Sequence, residues 1–339
     1  MSMQEKKITE DLFQPANLTS AEAEQMAQKS RTFWQDAMSR LFKNKAAVVG
    51  LAIIVLIFGF ALLGPLLSSH TATHQDTAKA NLPARIPLLE KIPFLGLDGH
   101  DTFGNDKYKA AGAENEYFWF GTDVFGRDQF VRVWEGTRIS LYISFLAAVI
   151  DLLVGVIYGM VSGYKGGAVD NVMQRIIEVL VGIPQLIVVI LLILVLDPGV
   201  ISISIAMVIT GWTTMARIVR GQVMKLKGQE FVMASKTLGA NSKRILFKHM
   251  FPNVLASIVI TSMFTIPAAI FGEAFLSFIG LGLQPPTASL GTLVNDGFKG
   301  LELTPHLVLF PSLIISLIMI SFNMLGDGLR DALDPKMRK

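Results

Sequence analysis

Long apolar runs alternate with polar segments along this chain, and the runs are too long for the strands of a soluble domain. The first run, residues 46–67, would form about 33 Å of helix at ~1.5 Å per residue, which is enough to cross a bilayer. Further apolar runs follow at residues 139–162, 172–196, 200–219, 254–279 and 306–325. The pattern predicts an all-α integral membrane protein with six transmembrane helices and both chain ends on the same side.

Helix-breaking residues interrupt these runs. Pro184 lies inside the third run and Pro267 inside the fifth, and each predicts a kink, which a membrane bundle tolerates where the broken backbone lines a cavity. The sequence Gly-Tyr-Lys-Gly-Gly at residues 163–167 predicts a tight turn, because glycine accepts positive φ angles. Asp170 is a candidate N-cap for the helix that follows.

Composition supports the membrane class and excludes several kinds of chemistry. The 339 residues are 51% hydrophobic, with a mean hydropathy of +0.49, as is typical of multi-span membrane proteins. The absence of cysteine excludes disulfides, thiolate metal sites and cysteine nucleophiles. His70 and His74 are spaced as metal ligands on a helix would be, but they lie in a polar, turn-prone segment. We therefore expect no metal and no cofactor.

Charge placement predicts the orientation. From Arg217 to Lys248 the chain carries eight Lys or Arg side chains and one acid, Glu230. The positive-inside rule places this loop, and with it both termini, in the cytoplasm. The segment 68–137 carries seven positive and ten negative side chains, which fits the external face. Nucleic-acid binding explains the basic loop poorly, because the loop lies against the bilayer between two spans.

The basic loop at residues 228–253 has the local signals of a helical elbow. Residues 230–238 favour a helix, Gly239 can take the left-handed conformation that ends one, and Asn241 or Ser242 can cap the next helix. We expect Pro252 to end the second piece. From these residues alone, the elbow is either a solvated basic loop along the membrane surface or a shape that another protein holds.

The residues before the first run form a polar tail. Residues 21–42 could form an amphipathic surface helix with Phe33, Trp34, Ala37 and Leu41 on one side, and a disordered tail is the alternative. The first run begins too far from the N-terminus for a typical signal peptide, so we interpret it as a retained anchor.

Three carboxylates lie inside the apolar runs, where an ionisable side chain is costly. These are Asp151, Glu178 and Glu273. They could form a proton or ion relay, but three scattered acids make pairing inside the bundle, for example of Glu178 with Arg175, the preferred interpretation. Outside the runs, Gly-Thr-Asp at residues 121–123 predicts a turn, and Arg127 with Asp128 a local ion pair.

The elbow resembles the EAA motif of permease subunits of ABC importers, through EFVMASKTLGA and the later HMFPN. Ser235 stands where a second Ala is usual, and Phe251 where Leu is usual. The resemblance implies a coupling helix that docks into a groove of a cytoplasmic ATPase. The coupling residues that it implies are Glu230, Ala234, Ser235, Leu238, Gly239 and Ala240.

Other stretches resemble the C-type subunits of oligopeptide and dipeptide permeases. They are GTDVFGRD, SGYKGGAVDNVMQRIIEVLVGIP, EAFLSFIGLGLQPPTASLGTL and FNMLGDGLRDALDPKMRK, and with the elbow they extend over residues 121–339. The long segment after the first run makes the chain most similar to the oligopeptide permease C branch of Gram-positive bacteria. In this family the helix with the EAxLSF pattern helps line the pathway near the gate, which makes Glu273, Ser277 and Pro267 pathway candidates.

The resemblance implies a type I ABC importer permease with a MetI-like core. The expected organisation is a cytoplasmic tail (1–45), a first transmembrane helix (46–67), an extracellular insertion (68–137) and a core with five transmembrane helices (138–339) that includes the coupling loop 228–253. The expected partners are a homologous B-type permease subunit, two ABC ATPase subunits, an extracytoplasmic peptide-binding protein, the peptide substrate and membrane lipid. The chain lacks the Walker A pattern of nucleotide-binding loops, so ATP hydrolysis is expected on the ATPases and not here.

Alternatives remain at this stage. A dipeptide or nickel permease would share the same motifs. An ion-coupled secondary transporter is a different class; it predicts internal repeats, and none is visible in the sequence. A non-transporting membrane scaffold would leave the motifs on the external side unexplained.

Overall fold

The computed structural model describes residues 32–87, 89–92 and 96–333, and this part of the chain is built from helices joined by turns. Three isolated bridges are the only strand-like pairings among the described residues. The α-helices, in chain order, are α1 (Phe33–Leu41), α2 (Lys45–Leu63), α3 (Lys107–Ala110), α4 (Gln129–Lys165), α5 (Gly167–Gly182), α6 (Gln185–Leu196), α7 (Val200–Lys227), α8 (Glu230–Thr237), α9 (Ser242–Arg244), α10 (Phe251–Leu276), α11 (Leu290–Phe298) and α12 (His306–Leu333).

The described residues contain five helices long and apolar enough to cross a membrane, or six if one bent pair counts as a single span. The bent pair is α5 and α6, which meet at 78°. Pro184 is the N-cap residue of α6, so the break falls where the proline predicts it. Helix α10, in contrast, continues as one helix through Pro267.

The centre of the bundle is the pair α4 and α7, which approach closely through glycines on one face of α4. A Cβ added to Gly155, Gly159 or Gly163 would lie 2.7, 2.4 or 2.8 Å, respectively, from an atom of α7, closer than real Cβ contacts. These glycines recur every four residues, so they line one face of the helix. Small residues let helix backbones pack closely inside a membrane, where apolar area alone does not drive helices together.

The first span is fastened to α4 by a polar contact at its end. Arg138 donates two hydrogen bonds to the carbonyl oxygen of Ala61, at 2.9 and 3.1 Å. That carbonyl lies in the last turn of α2, where the helix leaves its oxygens without intrahelical partners. The arginine therefore caps the first span and holds it against the core.

Helix α4 begins at Gln129, almost three helical turns before the predicted span at residue 139. Asp128 caps it, because its Oδ1 accepts from the backbone N–H groups of Phe130 (2.8 Å) and Val131 (3.4 Å). The predicted ion pair of Arg127 with Asp128 is wrong. Arg127 instead pairs with Asp123, with 2.7 Å between Nε and Oδ2, which leaves Asp128 free to act as the cap.

The chain between α2 and α4 folds into a small lobe with its own apolar centre. Leu82, Tyr108, Ala113 and Phe118 form this cluster. The Tyr108 hydroxyl donates to the carbonyl oxygen of Pro83 at 2.9 Å, and burial raises the pKa of the phenol. An ordered centre of this kind distinguishes the lobe from a passive connection.

The predicted amphipathic helix at residues 21–42 is described only from residue 32 onward. Within α1, Ala37 and Leu41 are buried, and α1 packs against α12. Phe33 and Trp34 are about half exposed and contact each other edge to face, with ring centroids 5.5 Å apart. Of the four side chains predicted on one side of a surface helix, two are therefore buried against the bundle and two are not.

Candidate coupling and translocation sites

The elbow has the local structure that its sequence predicts. Helix α8 ends at Thr237, and Gly239 follows with a φ of +80°, the left-handed conformation that glycine adopts without strain. The side chain of Asn241 then accepts from the backbone N–H of Arg244 at 2.8 Å and caps α9. Two short helical pieces are thus joined at a glycine.

One side of the elbow packs on the bundle and the other is open. Val232 and Ile245 are buried in a cluster with side chains of α4, α7 and α10. Leu238 is 87% exposed at the bend, and Phe247 is 63% exposed. Large exposed apolar side chains at a basic bend provide a surface for another protein.

The expectation that Pro252 ends the second piece is wrong. Residues 245–250 form a π-helical turn that runs directly into α10, and Pro252 occupies the first turn of that helix. Pro252 has no N–H to donate, and it falls directly after the π-helical turn, where the regular hydrogen bonding of the α-helix is already interrupted. The elbow and the span are therefore one continuous stretch, Ser242–Leu281.

The residues implied for coupling lie together on α8 and the bend. Glu230 and Ala234 are exposed, and Ser235 and Ala240 are partly exposed. The Ser235 hydroxyl donates to the carbonyl oxygen of Phe231 at 2.8 Å, which leaves the helix surface there small and smooth.

Glu273 lies at the centre of a buried polar network. Its two carboxylate oxygens accept hydrogen bonds from Ser140 on α4 (2.8 Å) and from Ser277 one turn later (2.7 Å). Ser140 Oγ also accepts from the backbone N–H of Leu290 at 3.2 Å. The carboxylate is fully buried, so these hydroxyls compensate for its lost hydration. The network joins α4, α10 and the start of α11.

A second carboxylate, Asp151, lies in the interior of α4 beside a cavity of about 460 Å³. It is 5% exposed, and its Oδ1 has no hydrogen-bond partner among the described residues. The third carboxylate differs from both: Glu178 pairs with Arg175 at 2.6 Å, as predicted, but both side chains are exposed and the pair does not lie inside the bundle.

Comparison with known proteins identifies the family. A family model described as "Binding-protein-dependent transport system inner membrane component" matches residues 155–339. A second, described as "N-terminal TM domain of oligopeptide transport permease C", matches residues 32–84. The chain belongs to this family of inner membrane transport components. It is therefore a subunit of a transporter and not an enzyme, and it has the all-α fold of type I importer permeases.

Characterised relatives match this permease over nearly its whole length. The oligopeptide transport system permease protein OppC of Bacillus subtilis is 46% identical over 98% of this chain and 100% of the relative. The dipeptide transport system permease protein DppC of the same organism is 45% identical over 99% of this chain and 96% of the relative. The inward-facing MetNI methionine ABC transporter aligns at 15% identity with a TM-score of 0.47, covering 57% of this chain and 94% of that one.

The permease also holds a buried ion pair near the elbow. Asp170 was a candidate cap, but Gly166 occupies the N-cap position of α5. Asp170 instead receives two hydrogen bonds of 2.6 Å from the guanidinium of Arg220 on α7. A bidentate pair of this kind fixes both position and angle. It ties the helix pair α5 and α6 to the end of the helix that leads into the elbow.

Sequence reasoning placed the permease's pathway candidates only in part. Glu273 and Ser277 are in contact, and Pro267 is buried in the same helix. The partners Ser140 and Ser289 were missed, because Ser140 is 133 residues from Glu273 in the sequence. Ser289 carried a usable signal, since with Thr292 it forms the capping box of α11, a helix that lies outside all six predicted spans.

The lobe of the permease holds a group of charged side chains around His70. Asp128 Oδ2 accepts from Ser68 Oγ at 2.7 Å and lies 3.5 Å from His70 Nδ1. Burial raises the pKa of the Asp128 carboxyl. No group of three or more potential metal ligands occurs within the residues that the structure describes.

Proposed function

We propose that this permease is a membrane-spanning subunit of an ATP-driven importer of oligopeptides. The observation that carries the proposal is the end-to-end similarity to oligopeptide and dipeptide transport permeases, which covers the lobe and the elbow as well as the bundle. Relatives of the two substrate classes are almost equally similar and both cover the long segment between α2 and α4, so the choice of oligopeptides is the part of the proposal that the competition assay below decides.

The assembly that fits these features contains several further proteins. A homologous permease subunit forms the other half of the pathway, two ATPases bind at the cytoplasmic side, and an extracytoplasmic binding protein delivers the peptide. Both termini and the elbow face the cytoplasm, and the lobe faces outward. The excess of basic residues around the elbow supports this orientation.

The mechanism we propose is alternating access driven through the elbow. Closure of the ATPases moves the residues around Leu238 and Gly239, and the π-helical turn passes this displacement into α10 without an intervening loop. Helix α10 carries Glu273, whose hydrogen bonds reach α4 and the start of α11. A tilt of α10 therefore acts on both of these elements at the far end of the bundle.

Uptake into proteoliposomes tests the proposal. The complete importer, reconstituted with ATP inside and binding protein outside, should accumulate a labelled oligopeptide such as penta-alanine, and a non-hydrolysable ATP analogue should abolish accumulation. Competition with unlabelled peptides of two to six residues gives the length preference. Accumulation without ATP that collapses with an uncoupler would instead identify an ion-coupled transporter, and competition by dipeptides alone would identify a dipeptide permease.

A further inference from the structure

The cavity beside Asp151 has several polar side chains among its apolar walls. It has a volume of about 460 Å³ and lies between α4, α7 and α10, next to the bend between α5 and α6. Besides Arg330 of α12, its polar lining includes Asp151, Gln185 at the bend, Thr210 and Thr214 on α7, and Thr261 and Thr265 on α10. The threonines on each helix are four residues apart, so each pair lies on one face. Two polar faces thus meet across one space.

Asp151 enters this space without a partner of its own. It is 5% exposed, and no described side chain satisfies its Oδ1. A carboxylate buried in a membrane bundle without a compensating group is costly, and such residues are usually retained for function. Asp151 contrasts with Glu273, Asp170 and Glu178, each of which has hydrogen-bond donors within 2.8 Å.

The position of Asp151 depends on a glycine opposite. A Cβ added to Gly211 would lie 2.7 Å from each carboxylate oxygen of Asp151. The carboxylate therefore occupies space that any larger residue at position 211 would remove. Arg330 also lines the cavity, but in the part of the chain that the structure describes no hydrogen bond from it reaches Asp151 Oδ1. The charge of Asp151 is thus available to a ligand.

We propose that the Asp151 cavity is a cation subsite of the translocation path that holds the N-terminal ammonium group of the passing peptide. This inference rests on the proposed peptide transport. A transporter of peptides with varied sequences can rely only on groups that every peptide has, and the one cationic group common to them is the N-terminal ammonium. Asp151 supplies the counter-charge, and the threonine hydroxyls and Gln185 supply further acceptors, as an ammonium with three donors requires.

The absence of cysteine from the natural chain allows a direct test. Thr214→Cys places one thiol on the cavity wall, one turn from Gly211. The complete importer in nanodiscs is treated with a cationic trimethylammonium-ethyl methanethiosulfonate or with its anionic sulfonatoethyl counterpart, and modification of this chain is followed by mass. The ratio of the rate constant for the cationic reagent to that for the anionic reagent should fall by about tenfold or more on adding Asp151→Asn. The Asp151 carboxylate attracts the cationic reagent and repels the anionic one.

Two controls separate the subsite from a general change of fold. Ser242→Cys on the exposed surface of the elbow should show the same ratio with and without Asp151→Asn. Gly211→Ala, which keeps the charge but displaces the carboxylate, should lower the ratio at Thr214→Cys. Gly272→Ala should not, because its added Cβ would meet only Met207 Cε at an ordinary 3.5 Å.

Peptide protection then identifies the source of the ammonium. During ATP turnover with binding protein, Ala-Ala-Ala-Ala should slow modification by the cationic reagent severalfold in the presence of Asp151 and have little effect with Asp151→Asn. N-acetyl-Ala-Ala-Ala-Ala, which lacks the ammonium group, should protect far less. Equal protection by this acetylated peptide while it is taken up would overturn the proposal.

Different results would contradict the cation subsite and the proposed peptide transport. A ratio that Asp151→Asn leaves unchanged overturns the cation subsite, whatever the transport assay shows. A ratio that falls while no peptide is transported in the uptake assay contradicts peptide transport and, with it, the assignment to a peptide ammonium.

Discussion

Replacing Gly239 by alanine isolates the contribution of the bend in the elbow. Gly239 has a φ of +80°, and an added Cβ would meet nothing within 4 Å, so the substitution introduces no clash. Its whole cost is conformational, about 1–2 kcal/mol for an L-residue held in the left-handed region. A change of this size reduces the population of the bent form relative to other loop conformations by a factor of about 5–30.

Binding of the ATPases measures this loss. If they recognise the bent elbow, their apparent dissociation constant should rise by up to the same factor of about 5–30, because it varies inversely with the fraction of the permease in the competent form. Titrating purified ATPase onto the permease complex in nanodiscs gives this constant. Gly239→Pro should have a larger effect and abolish coupling while membrane insertion is retained. Proline cannot adopt this φ, and it also removes the hydrogen bond from Gly239 N to the carbonyl oxygen of Lys236 at 3.0 Å.

Gly228 provides the matched control. It lies at the other end of the same loop, also with open space for a Cβ, but its φ is −85°, which alanine adopts readily. Gly228→Ala should leave the dissociation constant within about twofold of the wild type. Equal constants for Gly239→Ala and Gly228→Ala would refute the reasoning, since they would show that the left-handed bend has no part in docking.

Three further predictions concern stability and docking. Gly159→Ala should lower the stability of the complex by about 1–3 kcal/mol, and with it the heat-inactivation temperature, because the added Cβ would lie 2.4 Å from the carbonyl oxygen of Ala216 on α7. Gly221→Ala is the control and should leave that temperature unchanged, since its added Cβ meets nothing within 4 Å. Glu273→Leu should lower stability by about 1–3 kcal/mol in the same assay, because it leaves buried serine hydroxyls without their acceptor. Glu273→Gln keeps one acceptor oxygen and should lower stability less. The reverse order of the two variants would contradict the hydrogen-bond network around Glu273. Glu230→Ala should preserve the heat-inactivation temperature, since Glu230 is exposed, yet reduce co-purification of the ATPase; unchanged co-purification would remove Glu230 from the docking surface.

Much of the fold could be predicted from local patterns in the sequence. Apolar run length predicts the candidate spans, and Pro184 predicts the break between α5 and α6. The start of α4 at Gln129 could not be predicted from hydropathy, because its first turns carry polar side chains such as Arg132 that are buried among other polar groups. Helix α11 was missed for a related reason: it is short, and its helical form depends on contacts with α10 and α12.

The candidate sites also differ in how far the sequence predicts them. The elbow depends on neighbouring residues, so Gly239 and Asn241 predict it from their own preferences. The environments of the buried acids depend on packing between distant parts of the chain. In the sequence, Glu273 and Asp151 are both acids within apolar runs. In the structure, serine hydroxyls donate hydrogen bonds to Glu273, whereas Asp151 faces a cavity.

The central claim is that the exposed bend of the elbow contacts a cytoplasmic ATPase. Because this chain has no cysteine, Leu238→Cys can carry a single benzophenone photo-crosslinker in the complete importer. Irradiation followed by mass spectrometry should show Leu238→Cys crosslinked to the subunit that hydrolyses ATP. A membrane-impermeant thiol reagent applied first, from the cytoplasmic side alone, should prevent attachment of the crosslinker to Leu238→Cys. Crosslinking to the external binding protein, or blocking by that reagent from the outside alone, would contradict the account.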